Sequence, residues 1–380
     1  MENFTFYNPT KVFFGKNTIS RIGKEIHKAG IQRILLVSGG GSTKTNGVYE
    51  QVIKSLMEFG IDWVEYWGVK PNPVLSHTLK GIELARENEL EAVLAVGGGS
   101  VIDEAKSIAA GFYLDNLWDA FEKKVQVELA LPVYTVLTLS GTGSEMDLYA
   151  VITNEDEKKK WNIGADCLYP RISIIDPSVQ MSLPWNQTVN GAIDAMSHIM
   201  ENYFMGSDEE ATLGINESLM RTIIKSIDSL HLNGKDYNAR ANLAWSATLA
   251  LNGISGVAMR GGDWACHRIE HAISAMHPGV AHGAGLGVIF PAWLKFVTEY
   301  NPSLFDRWSN NVWDSATTEE AIVNMKNKFH SWNAPVSLSE LGINESEINN
   351  IASNSMRFGV VGSLKVLTHN DIVDILKIAF

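Results

Sequence analysis

The chain has 380 residues, of which 45% are apolar and 19% are charged, a balance typical of a protein folded around hydrophobic cores. A chain of this length usually forms two domains. Its formal net charge of −12 disfavours nucleic acids and anionic membranes as main partners, because both are themselves negatively charged.

The sequence shows no signal for export or membrane insertion. Its first ten residues, MENFTFYNPT, contain neither the basic nor the apolar segment of a secretory signal. No apolar run reaches the roughly 18 residues that span a bilayer. Cys167 and Cys266 are too few and too far apart for a disulfide framework, which favours a reducing compartment. We therefore expect a cytoplasmic protein without a membrane partner.

The first half of the chain alternates strand and helix patterns. Apolar runs predict strands at residues 33–37, 63–67, 92–96, 133–137 and 172–175, and periodicity predicts helices at 48–59, 76–87 and 100–110. Apolar strands separated by helices are typical of a mostly parallel sheet with helices on both faces. We therefore predict a Rossmann-like α/β domain that binds a dinucleotide over residues 1–184.

The second half is predicted to be helical throughout. Helical periodicity occurs at residues 208–230, 237–253, 264–275, 283–300 and 318–331, with almost no strand pattern. Pro184 suits the beginning of the helix that follows it, because proline is favoured in a first helical turn. We predict an all-helical domain over residues 185–380.

Three glycine-containing loops follow predicted strands, at residues 39–42, 97–100 and 141–144. Doubly wound sheets bind ligands at the carboxyl ends of their strands, where these loops are expected. Loop 97–100 also opens a helix, whose N–H groups could bind a pyrophosphate if no Cβ intervened. The spacing is not G-x-G-x-x-G, and a single such loop often forms only a tight turn. Together the three loops favour a nucleotide or another phosphorylated ligand.

Acidic and imidazole side chains recur at helical spacing in two places. Asp194 and His198 lie four residues apart in the apolar segment 190–204, on one face of the predicted helix. The run of residues 263–287 carries His267, His271, His277 and His282. A buried Asp–His hydrogen bond would explain the first pair alone, since an unpaired buried charge is unfavourable. One carboxylate with several imidazoles instead favours a first-row divalent metal site.

Five segments together resemble the iron-containing alcohol dehydrogenase family. They are GGGSVIDEAK (97–106), SGTGSE (140–145), the helix with Asp194 and His198, DWACHRIEHAISA (263–275) and HGAGL (282–286). The resemblance runs from FYNPTKVFFG to at least Pro291 and is strongest to the butanol-dehydrogenase-like, NADPH-dependent aldehyde reductase branch. It implies the two-domain architecture shared with dehydroquinate synthase. It also implies a homodimer, for which the first strand, residues 11–14, would be a natural meeting place.

The resemblance further implies a set of site residues. The metal ligands would be Asp194, His198, His267 and His282, holding Fe²⁺ or Zn²⁺; His277 also precedes HGAGL, but that glycine context favours His282. The cofactor-binding residues would be Gly97, Gly98, Gly99, Ser100, Asp103, Thr138, Thr142 and Lys160. Asp103, Thr138 and Thr142 would lie near the nicotinamide.

His271 and Asp103 are the predicted catalytic residues. The resemblance places His271 near the metal without making it a ligand. It is either a proton relay or a hydrogen-bonded imidazole that supports the ligands.

The loop after the first predicted strand bears on the choice of dinucleotide. Residues 38–44, SGGGSTK, contain no acid, whereas NAD-specific sites usually offer a carboxylate to the adenine ribose. We expect Gly39, Gly40 and Ser42 to bind a 2′-phosphate, with Lys44 as an added charge. This predicts a preference for NADP(H), with NAD(H) also accepted. The alternative is a flexible turn that binds both alike.

The sequence therefore predicts a metal-dependent oxidoreductase that transfers a hydride between NADP(H) and a primary alcohol or aldehyde. One alternative is a non-redox enzyme of the dehydroquinate synthase kind, which would need a basic cluster where only Arg260 and Arg268 are found. A second is an NAD-preferring, glycerol-type polyol dehydrogenase. A third is a binding module or redox sensor without turnover.

Overall fold

The computed structural model describes residues 1–380 and divides the chain into two compact units. The first, here called the sheet unit, comprises Asn8–Leu183 and Lys235–Ala244. The second, the helical unit, comprises Met1–Tyr7, Pro184–Gly234 and Trp245–Phe380. The two predicted domains have other bounds, residues 1–184 and 185–380. These bounds, and the roles assigned to the domains, stay a prediction.

The strands all belong to the sheet unit. They are β1 Lys11–Phe14, β2 Arg33–Ser38, β3 Asp62–Trp67, β4 Ala92–Gly97, β5 Val133–Leu137, β6 Tyr149–Asn154, β7 Lys159–Gly164 and β8 Ile172–Ile175. Six of them form a parallel sheet in the order β1-β8-β5-β4-β2-β3. The other two, β6 and β7, form an antiparallel hairpin.

The central strands are buried on both faces. Every residue of β4, AVLAVG, is buried. In β2, Leu35 and Val37 belong to one hydrophobic cluster, while Ile34 and Leu36 belong to another. Because successive strand side chains point to opposite faces, these clusters are the cores on the two sides of the sheet. The predicted α/β class, with a parallel sheet covered on both faces, is confirmed.

Helices fill the remainder of both units. They are α1 Ile22–Lys28, α2 Ser42–Thr45, α3 Val48–Glu58, α4 Leu75–Glu87, α5 Gly99–Gly111, α6 Leu117–Phe121, α7 Trp185–Tyr203, α8 Glu210–Leu232, α9 Tyr237–Leu251, α10 Ala265–Met276, α11 His282–Val297, α12 Pro302–Trp313, α13 Thr318–Ser331, α14 Ile348–Ser355 and α15 His369–Ile378. None of them is both long and apolar enough to cross a membrane. The chain after Pro184 contains no strand, as predicted.

The hairpin β6–β7 is a feature that the sequence analysis missed. Its turn lies at residues 155–158, inside the charged run EDEKKK, and the last two lysines of that run begin β7. The hairpin buries Ile152 and Ile163 in the core beside the sheet. The charged run at its turn reads as a solvated loop, which concealed the two strands that flank it.

Candidate functional site

The predicted metal ligands gather in the helical unit. On α7, the Nε2 atom of His198 lies 3.7 Å from Oδ1 of Asp194. The same oxygen lies 3.5 Å from Nε2 of His282, the first residue of α11. Asp194, His267 and His282 each offer a potential ligand atom within 4.8 Å of the other two. His198 adjoins this group, because its ring stacks on that of His267 with centroids 4.7 Å apart.

A glycine allows α11, which carries His282, to pack closely against α7, which carries Asp194 and His198. A Cβ on Gly283, the second residue of α11, would lie 2.0 Å from the backbone oxygen of Asn190 on α7. Asn190 precedes Asp194 by one helical turn. The absence of a side chain at residue 283 therefore lets α11 begin against α7, with His282 beside Asp194. Gly283 in the sequence HGAGLG thus has a packing function.

Two fully buried glutamates orient the imidazoles of this cluster. Oε1 of Glu201, on α7, lies 2.8 Å from Nδ1 of His267 and 3.1 Å from the backbone nitrogen of that residue. Oε2 of Glu270, on α10, makes a short contact with Nδ1 of His282. Each pair leaves the Nε2 atom of its histidine to face the cluster. Sequence reasoning missed both glutamates, although each is an acid in an apolar helical stretch near a predicted ligand.

The electrostatics of the cluster suit a bound cation. Burial lowers the pKa of His198 well below its ordinary value, and a charge on His267 would lower it further. Burial also raises the pKa of Glu201, and three backbone N–H donors oppose that effect by stabilising its carboxylate. Nδ1 of His198 is buried without a hydrogen-bond partner. Neutral imidazoles and a carboxylate oxygen are the usual ligands of Zn²⁺ and Fe²⁺, so these residues fit a divalent metal ion.

The two remaining histidines of the run lie apart from the Asp194 group. The ring of His271 is 5.3 Å from that of His282 and 6.4 Å from that of His267. With Glu270 and His282, His271 forms a second group of potential ligand atoms within 4.8 Å. His277 directly follows α10, and its Nε2 atom lies 3.0 Å from Oε1 of Glu347. His277 is therefore directed to a different partner.

The glycine loops of the sheet unit share one edge of the sheet, because β2, β4 and β5 are adjacent and parallel. Helix α5 begins at Gly99, and no side chain caps its first amides. A Cβ on Gly99 would lie 2.2 Å from Oγ1 of Thr142, so these two loops meet only because residue 99 is glycine. The backbone nitrogen of Thr138 donates to the oxygen of Gly97. Uncapped amides at the positive end of a helix fit a diphosphate.

Asp103 is held by the elements around it. Its carboxylate accepts hydrogen bonds from Oγ of Ser144 at 2.7 Å and from the backbone nitrogen of Val151 at 3.2 Å. Burial raises the pKa of Asp103 to about 7, although Lys106 opposes this effect. The two carboxylate oxygens of Asp103 thus connect α5 by hydrogen bonds to Ser144 and to Val151 of β6. Its predicted catalytic role stays a prediction.

Lys160 is buried rather than solvated. Only 6% of the residue is exposed, and its Nζ atom donates to Oδ1 of Asn72 at 2.9 Å. The preceding lysine, Lys159, pairs with Glu122 and Glu157. The charged run therefore contains one interior lysine, at the position assigned to the cofactor.

The loop predicted to bind a 2′-phosphate is bordered by open space. A Cβ on Gly40 would meet no atom within 4 Å, and one on Gly39 would make only ordinary contacts. Nζ of Lys44 lies 3.8 Å from Oε2 of Glu65 and 4.1 Å from the ring centroid of Trp67. Glu65 lies on β3, the strand next to β2. An acid therefore stands near this loop, although the loop sequence itself contains none.

Comparison with known proteins gives a consistent result over the whole chain. Residues 9–177 match the model of iron-containing alcohol dehydrogenase, and residues 188–380 match that of the C-terminal part of the Fe-containing alcohol dehydrogenase family. The chain is 40% identical over 389 residues to NADH-dependent butanol dehydrogenase A of Clostridium acetobutylicum, covering 99% of each chain. It is 33% identical over 360 residues to the NADPH-dependent aldehyde reductase YqhD of Escherichia coli, covering 92% of this chain and 91% of that protein.

A solved structure shows the same fold. The crystal structure of NADH-dependent butanol dehydrogenase A from Thermotoga maritima is 50% identical to this chain, with a TM-score of 0.98 over 100% of this chain and 99% of that one. The resemblance inferred from the sequence is confirmed. The chain belongs to the iron-containing alcohol dehydrogenase family.

Proposed function

We propose that this protein transfers a hydride between a nicotinamide dinucleotide and a primary alcohol or aldehyde of the butanol–butanal type. The observation that carries the proposal is the cluster of the buried Asp194, His198 and His267 with the half-buried His282. It joins a carboxylate to imidazoles whose Nε2 atoms face it. The names of the relatives, butanol dehydrogenase and aldehyde reductase, support the substrate class.

The four residues of this cluster would hold one divalent cation, Fe²⁺ or Zn²⁺. Three imidazoles and one carboxylate suit both ions, and zinc generally binds such ligands more tightly than iron does. When bound, the cation supplies a Lewis acid that polarises the oxygen of the alcohol or aldehyde. The protein contributes fixed ligands and a site that excludes bulk water, because both Asp194 and His198 are buried.

The sheet unit would bind the dinucleotide through its glycine loops. Residues 97–100 offer uncapped amides at the beginning of α5 for the diphosphate. Asp103 would keep α5 in register with the loop of Thr142 through its bond to Ser144. Thr138, Thr142 and Lys160 complete the proposed contacts. The bound nicotinamide supplies or accepts the hydride.

We propose a preference for NADP(H) over NAD(H), with both accepted. The loop of Gly39, Gly40 and Ser42 has space for a 2′-phosphate and no acid of its own. Burial would raise the pKa of Glu65, but hydrogen bonds from Tyr49 and Trp67 outweigh that effect and lower it. Glu65 is therefore ionised, and Lys44 is the cation that pairs with it, at 3.8 Å. Relatives named for each cofactor exist, so local residues must decide the preference.

His271 would pass the proton between the reacting oxygen and solvent. It is half-buried, and its ring lies beside that of His282 without belonging to the group around Asp194. A titratable side chain between a buried site and water is suited to this role. The alternative, that His271 only supports the ligands, predicts an unchanged pH profile in a His271→Gln variant.

Activity is tested by following NADPH and NADH at 340 nm with butanal in protein loaded with Fe²⁺ or with Zn²⁺. We expect oxidation of NADPH, and slower oxidation of NADH. Loss of signal after chelation, and its return with metal, would link turnover to the cluster. No oxidation with any of several aldehydes would contradict the proposal. Faster NAD⁺ reduction with glycerol than with butanol would support the polyol dehydrogenase alternative.

We further propose a homodimer in a reducing, cytoplasmic setting. Both cysteines are free thiols, which suits a reducing compartment. Strand β1 is an edge strand of the sheet, and Phe14 is 38% exposed there. An edge strand bearing exposed aromatic side chains can pair with its copy across a two-fold axis.

A further inference from the structure

The three helices of the metal cluster are linked by carboxylates in a fixed pattern. Glu201 of α7 contacts Nδ1 of His267 on α10, and Glu270 of α10 contacts Nδ1 of His282 on α11. Helix α7 therefore provides the carboxylate that orients an imidazole of α10, and α10 provides the one that orients an imidazole of α11. Both glutamates are completely buried. A buried carboxylate is unfavourable unless it has partners, so these contacts are specific features of the packing.

We propose that Glu201 and Glu270 are positioning residues that hold His267 and His282 in the Nδ1–H tautomer. A hydrogen on Nδ1 leaves the lone pair of the neutral ring on Nε2. That is the nitrogen of His282 that lies 3.5 Å from Oδ1 of Asp194. The glutamates thus set both the tautomer and the ring orientation before a metal binds. This inference rests on the metal site of the proposed function.

The packing around Glu270 supports the assignment. A Cβ on Gly285 would lie 2.8 Å from Cγ of Glu270 and 3.2 Å from its Oε1. Glycine at residue 285 therefore leaves room for the glutamate side chain beside the first turn of α11. The sequence HGAGLG accordingly places one glycine against α7, at residue 283, and a second against Glu270. Both contacts determine where His282 lies.

The test measures Zn²⁺ affinity by competition with a chromophoric chelator in the full-length protein. Glu270→Ala should weaken zinc binding by roughly 10- to 100-fold, as is typical when an imidazole ligand loses its hydrogen-bond acceptor. Glu270→Gln keeps a carbonyl acceptor and should recover part of that loss. Gly285→Ala, which displaces Glu270 without removing it, should also weaken binding.

A matched control separates positioning from general destabilisation. Glu104 in the sheet unit is also completely buried and contacts Nδ1 of a histidine, His77. Glu104→Ala therefore removes the same kind of pair outside the cluster and should leave zinc affinity unchanged. At saturating Co²⁺, the visible d–d bands should shift in Glu270→Ala but not in Glu104→Ala.

Two results would overturn the assignment. One is a zinc affinity in Glu270→Ala within twofold of the unmodified protein. The other is an equal loss of affinity in the Glu104→Ala control. A protein that binds zinc as expected but reduces no aldehyde would refute the proposed function alone. The positioning role would still be decided by the affinities, so the two proposals can fail separately.

Discussion

At the residue scale, the proposed metal site depends on side chains that are far apart in the sequence. His267 stacks on His198 and is oriented by Glu201, which belongs to another helix. Removal of the His267 imidazole should therefore affect metal binding more than it affects folding of the sheet unit. The neighbouring run also contains His277, which pairs with Glu347 and provides an internal comparison.

We expect His267→Ala to abolish metal binding and turnover together. Loss of a ligand should weaken affinity by more than the roughly 10- to 100-fold typical of an outer hydrogen-bond partner. NADPH affinity, measured by fluorescence titration, should remain nearly unchanged, because the glycine loops lie in the other unit. His277→Ala is the control and should retain the metal. If His267→Ala keeps both metal and rate, the ligand set is wrong.

The proposed preference for NADP(H) can also be tested by single substitutions. A side chain at Gly39 would have Val69 O as its nearest atom, at 3.5 Å from the Cβ, so an aspartate can be accommodated. Gly39→Asp should shift the preference from NADPH toward NADH. Repulsion of the 2′-phosphate should amount to about 1–3 kcal/mol, or roughly five- to a hundredfold in the ratio of kcat/KM values. Gly39→Asn tests the same shape without the charge.

The preference is measured as the ratio of the steady-state kcat/KM values for NADPH and NADH. Equal or better efficiency with NADH in the unmodified protein would refute the NADP(H) preference. An equal shift in Gly39→Asp and Gly39→Asn would show that shape, and not charge, is responsible.

At the scale of elements, the contact between α7 and α11 brings together the proposed ligands Asp194 and His282. We expect Gly283→Ala to move α11 away from α7, because the new Cβ would lie 2.0 Å from a backbone oxygen that cannot rotate away. Such overpacking should lower the free energy of unfolding by about 1–3 kcal/mol and weaken zinc binding. Chemical denaturation and chelator competition measure the two effects.

The control for this variant is Gly214→Ala on α8. A Cβ there would meet no atom within 4 Å, so alanine should stabilise the helix by up to about 1 kcal/mol. Gly283→Ala with unchanged zinc affinity would show that the close approach of α11 does not position His282.

The sequence predicted most elements of the fold, because apolar runs in the buried strands are unambiguous. The predicted strand at residues 133–137 agrees with β5, and that at 92–96 is one residue shorter than β4. The hairpin β6–β7 was missed because the charged run EDEKKK spans its turn and the beginning of β7. Helix α12 was missed although proline at its beginning is a regular start signal.

The site was predicted less completely, for a physical reason. Helical spacing indicates that Asp194 and His198 share a face, because only local geometry is involved. The partners Glu201 and His267 are separated by 66 residues, and no spacing rule connects them. The contact between Glu65 and Lys44 was missed for the same reason, because Glu65 lies on the neighbouring strand. Contacts between helices or strands can be identified only once their packing is known. That packing depends on residues such as Gly283.

At the scale of the whole molecule, strand β1 offers an edge at which two copies of the chain could pair. Strand β1 pairs with β8 on one side only. The backbone nitrogens of Lys11 and Gly15 donate to Arg171 and Ile175 on the β8 side. Because N–H groups alternate along a strand, those of Val12 and Phe14 point to the outer edge. That edge is where we expect a second copy to pair.

We therefore predict a homodimer with twice the chain mass of 41.9 kDa. Val12→Pro removes an outward N–H while leaving the bonds of Lys11 and Gly15 to β8, so it should give a monomer by multi-angle light scattering. Trp63→Pro makes the corresponding change on β3, the opposite edge strand, where Trp63 also has an outward N–H. That control should remain dimeric. A monomeric unmodified protein at micromolar concentration would refute the dimer, and a dimeric Val12→Pro variant would place the interface elsewhere than β1.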